Sequence, residues 1–209
     1  MNTDRPSEGP RPPARASGIE LIAIGASAGG VDALLQLLGG LPEGFGLPIV
    51  AVLHLPPQGD SVLADVFAAR TPLRAHEAAD KERLAPGTIY FGPPGYHLLI
   101  EADASVSLSC EAEVHYSRPS IDVLFDSGAA AYGPRLAAIL LTGANEDGAE
   151  GLAAVHAAGG LTVVQDPAEA QIAVMPEAAI ARQAPDHILR LADIHQLIAA
   201  LDPNHAPSS

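Results

Sequence analysis

Three residue types that together can hydrolyse an ester occupy comparable places in this sequence. Gly25-Ala26-Ser27-Ala28-Gly29 follows a short apolar run and precedes a helical pattern. That is the strand–turn–helix setting in which G-x-S-x-G acts as a nucleophile elbow. The small neighbours let the backbone bend sharply and leave Ser27 Oγ exposed. The amides of Ala28, Gly29 and Gly30 open the following helix and point toward any developing oxyanion. A serine N-cap or a phosphate-cradling loop would use similar residues. Neither G-x-G-x-x-G nor G-x-x-x-x-G-K-[ST] is present, which weighs against a nucleotide loop.

A serine nucleophile needs a base of near-neutral pKa, and His54 is the candidate. It stands in Leu53-His54-Leu55-Pro56-Pro57, just beyond a second apolar run. A histidine there is often a satisfied core residue, but Pro56 and Pro57 restrict the exit loop and would hold the ring at the crevice. Asp147, in Gly143-Ala144-Asn145-Glu146-Asp147-Gly148, is the candidate acid that orients His54. Its competing role is the N-cap of the helix that follows. Both roles are compatible, because amides at a helix start keep a carboxylate ionised. Asp166, which also follows a strand, is the alternative acid.

These residues need a scaffold that gathers them. Residues 20–25 (ELIAIG), 47–53 (LPIVAVL), 135–141 (RLAAILL) and 161–165 (LTVVQ) are continuous apolar runs. Helical patterns over 31–38, 62–69 and 149–158 separate them. Such alternation predicts an α/β fold: a doubly wound, mostly parallel sheet with helices on both faces. Residues 88–109 differ, with TIYF, YHLLI and SVSLS separated by turn residues, and predict an antiparallel hairpin or meander at the sheet edge. Ser27, His54 and Asp147 each fall beyond the carboxyl end of a predicted parallel strand, the edge where such sheets bind ligands. The order Ser, His, Asp is not the α/β-hydrolase order.

Composition narrows the classes. With 209 residues, 48% hydrophobic and 17% charged, the chain is expected to fold as one domain over 18–202. Polar, Pro-rich tails over 1–17 and 203–209 are expected to be disordered. A net charge of −14 argues against nucleic acid and anionic membranes as partners. No apolar run is long enough to span a bilayer, and no signal peptide is evident, so a cytoplasmic protein without membrane insertion is expected. One cysteine, Cys110, excludes an internal disulfide. The histidines lack metal-ligand spacing, so no metal and no cofactor is expected. The sequence does not set the oligomeric state.

The chain resembles the catalytic domain of the chemotaxis receptor methylesterase (CheB) family. The resemblance rests on IAIGASAGGVDAL, VLHLPP, IYFGPPGYHLLI, RPSIDVLF, AILLTGANEDGAEGL and AGGLTVVQDPAEAQIAVMPEAAI, spread from Ile22 to Ile180. It implies Ser27 as nucleophile, His54 as base and Asp147 as acid. Arg118 would line or brace the site, and amides near Ala28 and Ala144 would hold the oxyanion. The family removes methyl groups from glutamate methyl esters on chemoreceptors, and some members deamidate glutamine, so a methylated chemoreceptor or similar signalling protein is the expected partner. The family's G-M-G-x-D-G reads G-A-N-E-D-G here, which bears on the pocket wall. The receiver domain that normally precedes this domain is not in these 209 residues, and phosphorylation-dependent release is not expected to operate within them. The changed pocket wall and the acidic charge keep open another ester substrate, or a non-catalytic module that binds receptor or kinase partners.

Overall fold

The computed structural model describes residues 18–54 and 63–204. The expected N-terminal tail lies outside these residues, as do Pro56, Pro57 and the C-terminal tail beyond Asn204. Seven strands form one parallel sheet: β1 (Leu21–Ala26), β2 (Ile49–Leu53), β3 (Arg74–Glu77), β4 (Thr88–Phe91), β7 (Leu136–Leu140), β8 (Leu161–Gln165) and β9 (His187–Leu189). Their order is β3-β4-β2-β1-β7-β8-β9. The doubly wound arrangement predicted from the apolar runs is the one observed.

The four runs read as strands occupy the sheet's centre and its flank. Every residue of β1, β2, β7 and β8 is buried, as expected where helices cover both faces. Alternate residues serve opposite cores. Ile22 and Ile24 pack with Leu34 and Leu37 of α1 (Gly30–Leu38) and with Ile194 and Ile198 of α6 (Leu191–Leu201). Leu21 and Ala23 pack with Leu124 and Phe125 of α3 (Ile121–Tyr132) and with Leu152 and Val155 of α4 (Ala149–Ala157). A short α2 (Leu63–Ala68) precedes β3, and α5 (Val174–Arg182) packs beside α4.

One strand departs from expectation. TIYF, read as part of a hairpin or meander, is β4, and it pairs in parallel with both β2 and β3. All four of its residues are buried, which explains why it reads as a continuous run rather than an alternating one. The antiparallel pair is β5 (His97–Ile100) with β6 (Val106–Ser109), and it forms a separate two-stranded sheet. Leu98, Ile100 and Val106 join the core on the α3 side.

Candidate active site

The strand order places a topological switch at β1. From β1 the chain crosses to β2 on one side, and it later returns to β7 on the other. Ligands of doubly wound sheets bind at the carboxyl ends of strands around such a point. Ser27 leaves β1, His54 leaves β2, and Asp147 lies in the loop after β7. Ser27 N donates to Thr142 O at 2.9 Å and His54 N donates to Ala26 O at 3.1 Å. The parallel ladder thus extends past the strand ends and delivers the loops side by side.

Asp147 is fully buried and accepts four hydrogen bonds. Ser120 Oγ donates to its Oδ1 at 2.8 Å and Asp122 N to the same oxygen at 3.0 Å. Ile121 N donates to Oδ2 at 2.7 Å, and His54 Nε2 lies 2.8 Å from Oδ2. Burial pushes this carboxyl up, but the bonds from His54, Ile121, Asp122 and Ser120 outweigh it and hold the group below its ordinary range. An ionised carboxylate can only accept. The proton between Asp147 and His54 therefore sits on Nε2, which leaves Nδ1 as the ring's acceptor nitrogen.

Asp147 does cap a helix, but not the expected one. The N-cap of α4 is Gly148, with no side-chain cap bond. Asp147 reaches instead to the N-terminus of α3, whose first two amides it accepts. The field of that helix end favours its negative charge. The sequence pointed to the helix that follows Asp147, whereas the amides it accepts belong to α3, which precedes it in the chain.

Ser27 is half-buried. With Gly29, Leu53, His54 and Gln171 it lines a cleft of about 260 Å³. Both glycines of the G-x-S-x-G turn are required by its geometry. A Cβ on Gly25 would run into the Ile121 side chain at the start of α3. Gly29 has φ of +80°, and a Cβ there would lie 2.5 Å from Gln171 Oε1. The left-handed region and the close side chain exclude other residues on separate grounds.

Of the three amides expected to face an oxyanion, Gly30 N is spent on Ser27 O at 2.8 Å. Ala28 N and Gly29 N donate to no described residue. Ala144 is exposed on the loop before Asp147 and is not among the residues lining the cleft. Arg118 also lies outside the lining. Its Nη1 donates to Cys110 O at 3.3 Å and to Glu111 O at 2.8 Å, so it braces the segment between β6 and α3. Asp166, the alternative acid, accepts from Ala168 N at 2.9 Å within its own turn.

Three residues around the site were not singled out by their sequence context. Thr142 Oγ1 donates to Ala28 O at 2.9 Å and accepts from Ile172 N at 2.9 Å, tying the Ser27 turn to the segment that carries Gln171. Ser120 and Gln171 reach the site from elements distant in sequence. Only Ser120 has a local hint, as a serine preceding the apolar spacing of Ile121, Leu124 and Phe125.

Among the described residues, no group of three or more His, Cys, Asp or Glu side chains is placed to hold a metal ion. No described helix is long and apolar enough to cross a membrane.

The family model described as CheB methylesterase matches residues 22–198. A Leptospira interrogans protein, named for protein-glutamate methylesterase/protein-glutamine glutaminase activity, is 44% identical over 89% of this chain and 96% of its own length. Protein-glutamate methylesterase FrzG of Myxococcus xanthus is 36% identical over 83% of this chain, and the match covers 52% of that protein. The crystal structure of the Thermotoga maritima CheB methylesterase catalytic domain superposes with a TM-score of 0.82 at 31% identity, covering 86% of this chain and 97% of that one. This chain belongs to the CheB methylesterase family.

Proposed function

We propose that the chain hydrolyses glutamate methyl esters on a chemoreceptor-type signalling protein, with Ser27 as nucleophile, His54 as base and Asp147 as the acid that orients it. The observation that carries this reading is the 2.8 Å contact of His54 Nε2 with Asp147 Oδ2, in a ring that shares its cleft with Ser27. Nδ1 of His54 takes the Ser27 proton as Oγ attacks the ester carbonyl, and Asp147 stabilises the imidazolium. The tetrahedral oxyanion is held by the free amides of Ala28 and Gly29, at the positive end of α1. Methanol leaves with the proton carried by His54, and water activated by the same ring releases the glutamate carboxylate. A glutamine side chain entering the same path would release ammonia, the second activity in the name of the Leptospira relative.

Methanol release from a receptor-type helical peptide carrying glutamate methyl esters tests the reading. Ser27→Ala is expected to reduce the rate by several orders of magnitude. Full activity in that variant would sink the mechanism. The net charge of −14 favours one second reading, the same triad acting on a different ester, because acidic receptor helices would be repelled at long range. Activity on a neutral small ester, with none on the peptide at any salt concentration, would select that alternative.

A further inference from the structure

Ser120 is fully buried and lies outside the three residues that perform the proposed chemistry. Its hydroxyl accepts from Val123 N at 3.5 Å, capping α3, and donates to Asp147 Oδ1 at 2.8 Å. Its own amide donates to His97 Nδ1 at 3.2 Å. His97, also buried, uses Nε2 to donate to Ala112 O at 2.9 Å. Each step fixes the next. The carbonyl of Ala112 sets the tautomer of His97, and His97 then presents a lone pair to Ser120 N. With the hydroxyl lone pairs turned toward Val123 N, the Ser120 proton has Asp147 as its acceptor.

We infer that Ser120 is a positioning residue of the site, whose hydroxyl sets the basicity of His54 by neutralising part of the Asp147 charge. The inference rests on the Ser27–His54–Asp147 reading. Both oxygens of Asp147 hold two donors. Removing the Ser120 proton leaves Asp122 N, Ile121 N and His54 to keep the carboxylate in place. The carboxylate would then be less neutralised and would hold a proton on His54 more tightly. The ionisable groups around it are few: His54 from the end of β2 and Asp122 from α3. His115 faces Asp122 at 3.2 Å and Glu146 at 3.6 Å from the far side. None of these bonds to the Ser120 hydroxyl, and of them Asp122 also senses the Asp147 charge.

The test is the rate of covalent labelling by a fluorophosphonate as a function of pH, which reads the nucleophile and its base without a known substrate. In Ser120→Ala the acidic limb is expected to move up by about half a pH unit, slowing labelling about threefold below the limb. Ser120→Thr keeps the hydroxyl and is expected to hold the limb of the unsubstituted chain. If circular dichroism shows that Ser120→Ala does not fold, Ser120→Cys gives the same readout with a weak donor. A lost cap alone would lower the amount of labelled protein without moving the limb. An unmoved limb, a limb that moves down, or equal displacement in the Thr variant would overturn the inference. Absence of Ser27 labelling in the unsubstituted chain would instead overturn the reading beneath it.

Discussion

Asp147→Asn separates charge from shape at the site, because the four donors around the carboxylate leave an amide no neutral arrangement. With the amide oxygen at the Oδ1 position, Ser120 and Asp122 N stay satisfied, but the NH2 meets Ile121 N and His54. His54 must then accept at Nε2, which moves its proton to Nδ1, the nitrogen that should take the Ser27 proton. With the oxygen at Oδ2 the tautomer survives, and Asp122 N is left facing a donor. Either rotamer leaves one buried backbone N–H unpaired, which costs about 1–3 kcal/mol. For a chain of this size that lowers the melting temperature by roughly 2–12 °C. Both rotamers also lose the negative charge that stabilises the imidazolium, so the rate of fluorophosphonate labelling is expected to fall by about 10³- to 10⁴-fold. Because the native carboxyl lies below its ordinary value of 3.8, its stabilisation is complete above about pH 4 and is lost as pH falls through the native value. The melting gap between variant and parent should therefore close only in acid. Labelling within tenfold of the parent at pH 7.5, with the variant folded, would refute the assigned role of Asp147.

Two neighbours give independent checks. Burial raises Asp122 to about 6; a bond from Gly151 N opposes this, Asp147's charge adds to it, and His115 opposes it. A raised carboxyl favours the folded state at low pH, and that advantage is lost as pH climbs from 3.8 through 6. Asp122→Asn is thus expected to melt higher than the parent at pH 7.5, with the gain fading below pH 6, by thermal unfolding across pH. A gain that persists undiminished at pH 4 would contradict this. Gly151→Ala would ordinarily stabilise a helix by up to about 1 kcal/mol. Here its Cβ would lie 2.7 Å from Phe125 Cβ and 2.8 Å from Asp122 O, so forcing α3 and α4 apart is expected to cost about 1–3 kcal/mol in chemical denaturation. A stabilised variant would show that the α3–α4 contact does not hold the donors of Asp147 in place.

The sheet's centre was legible because strands buried on both faces are uninterrupted apolar runs, as in IVAVL and LAAIL. The edges were not. RAHE of β3 is partly exposed and carries three ionisable residues, and HIL of β9 has only three residues. Neither gives a periodic signal. The positions of Ser27, His54 and Asp147 relative to strand ends could be read, since each lies a few residues beyond an apolar run. That His54 meets Asp147 and shares a cleft with Ser27 could not, because it depends on β1 lying between β2 and β7. The same limit hid Ser120, which meets Asp147 across 27 residues of sequence, and hid which helix Asp147 caps. G-x-S-x-G was readable as a turn, but the reason for its glycines lies in Ile121 and Gln171, far along the chain.

Covalent trapping reads out whether Ser27 is the nucleophile of a folded hydrolytic site. The folded chain is treated with a fluorophosphonate at pH 7.5, and the modified peptide is mapped by mass spectrometry. One adduct is expected, on Ser27, and it disappears when the chain is unfolded before treatment. An unlabelled folded protein, or an adduct on another serine with Ser27 unmodified, would contradict it.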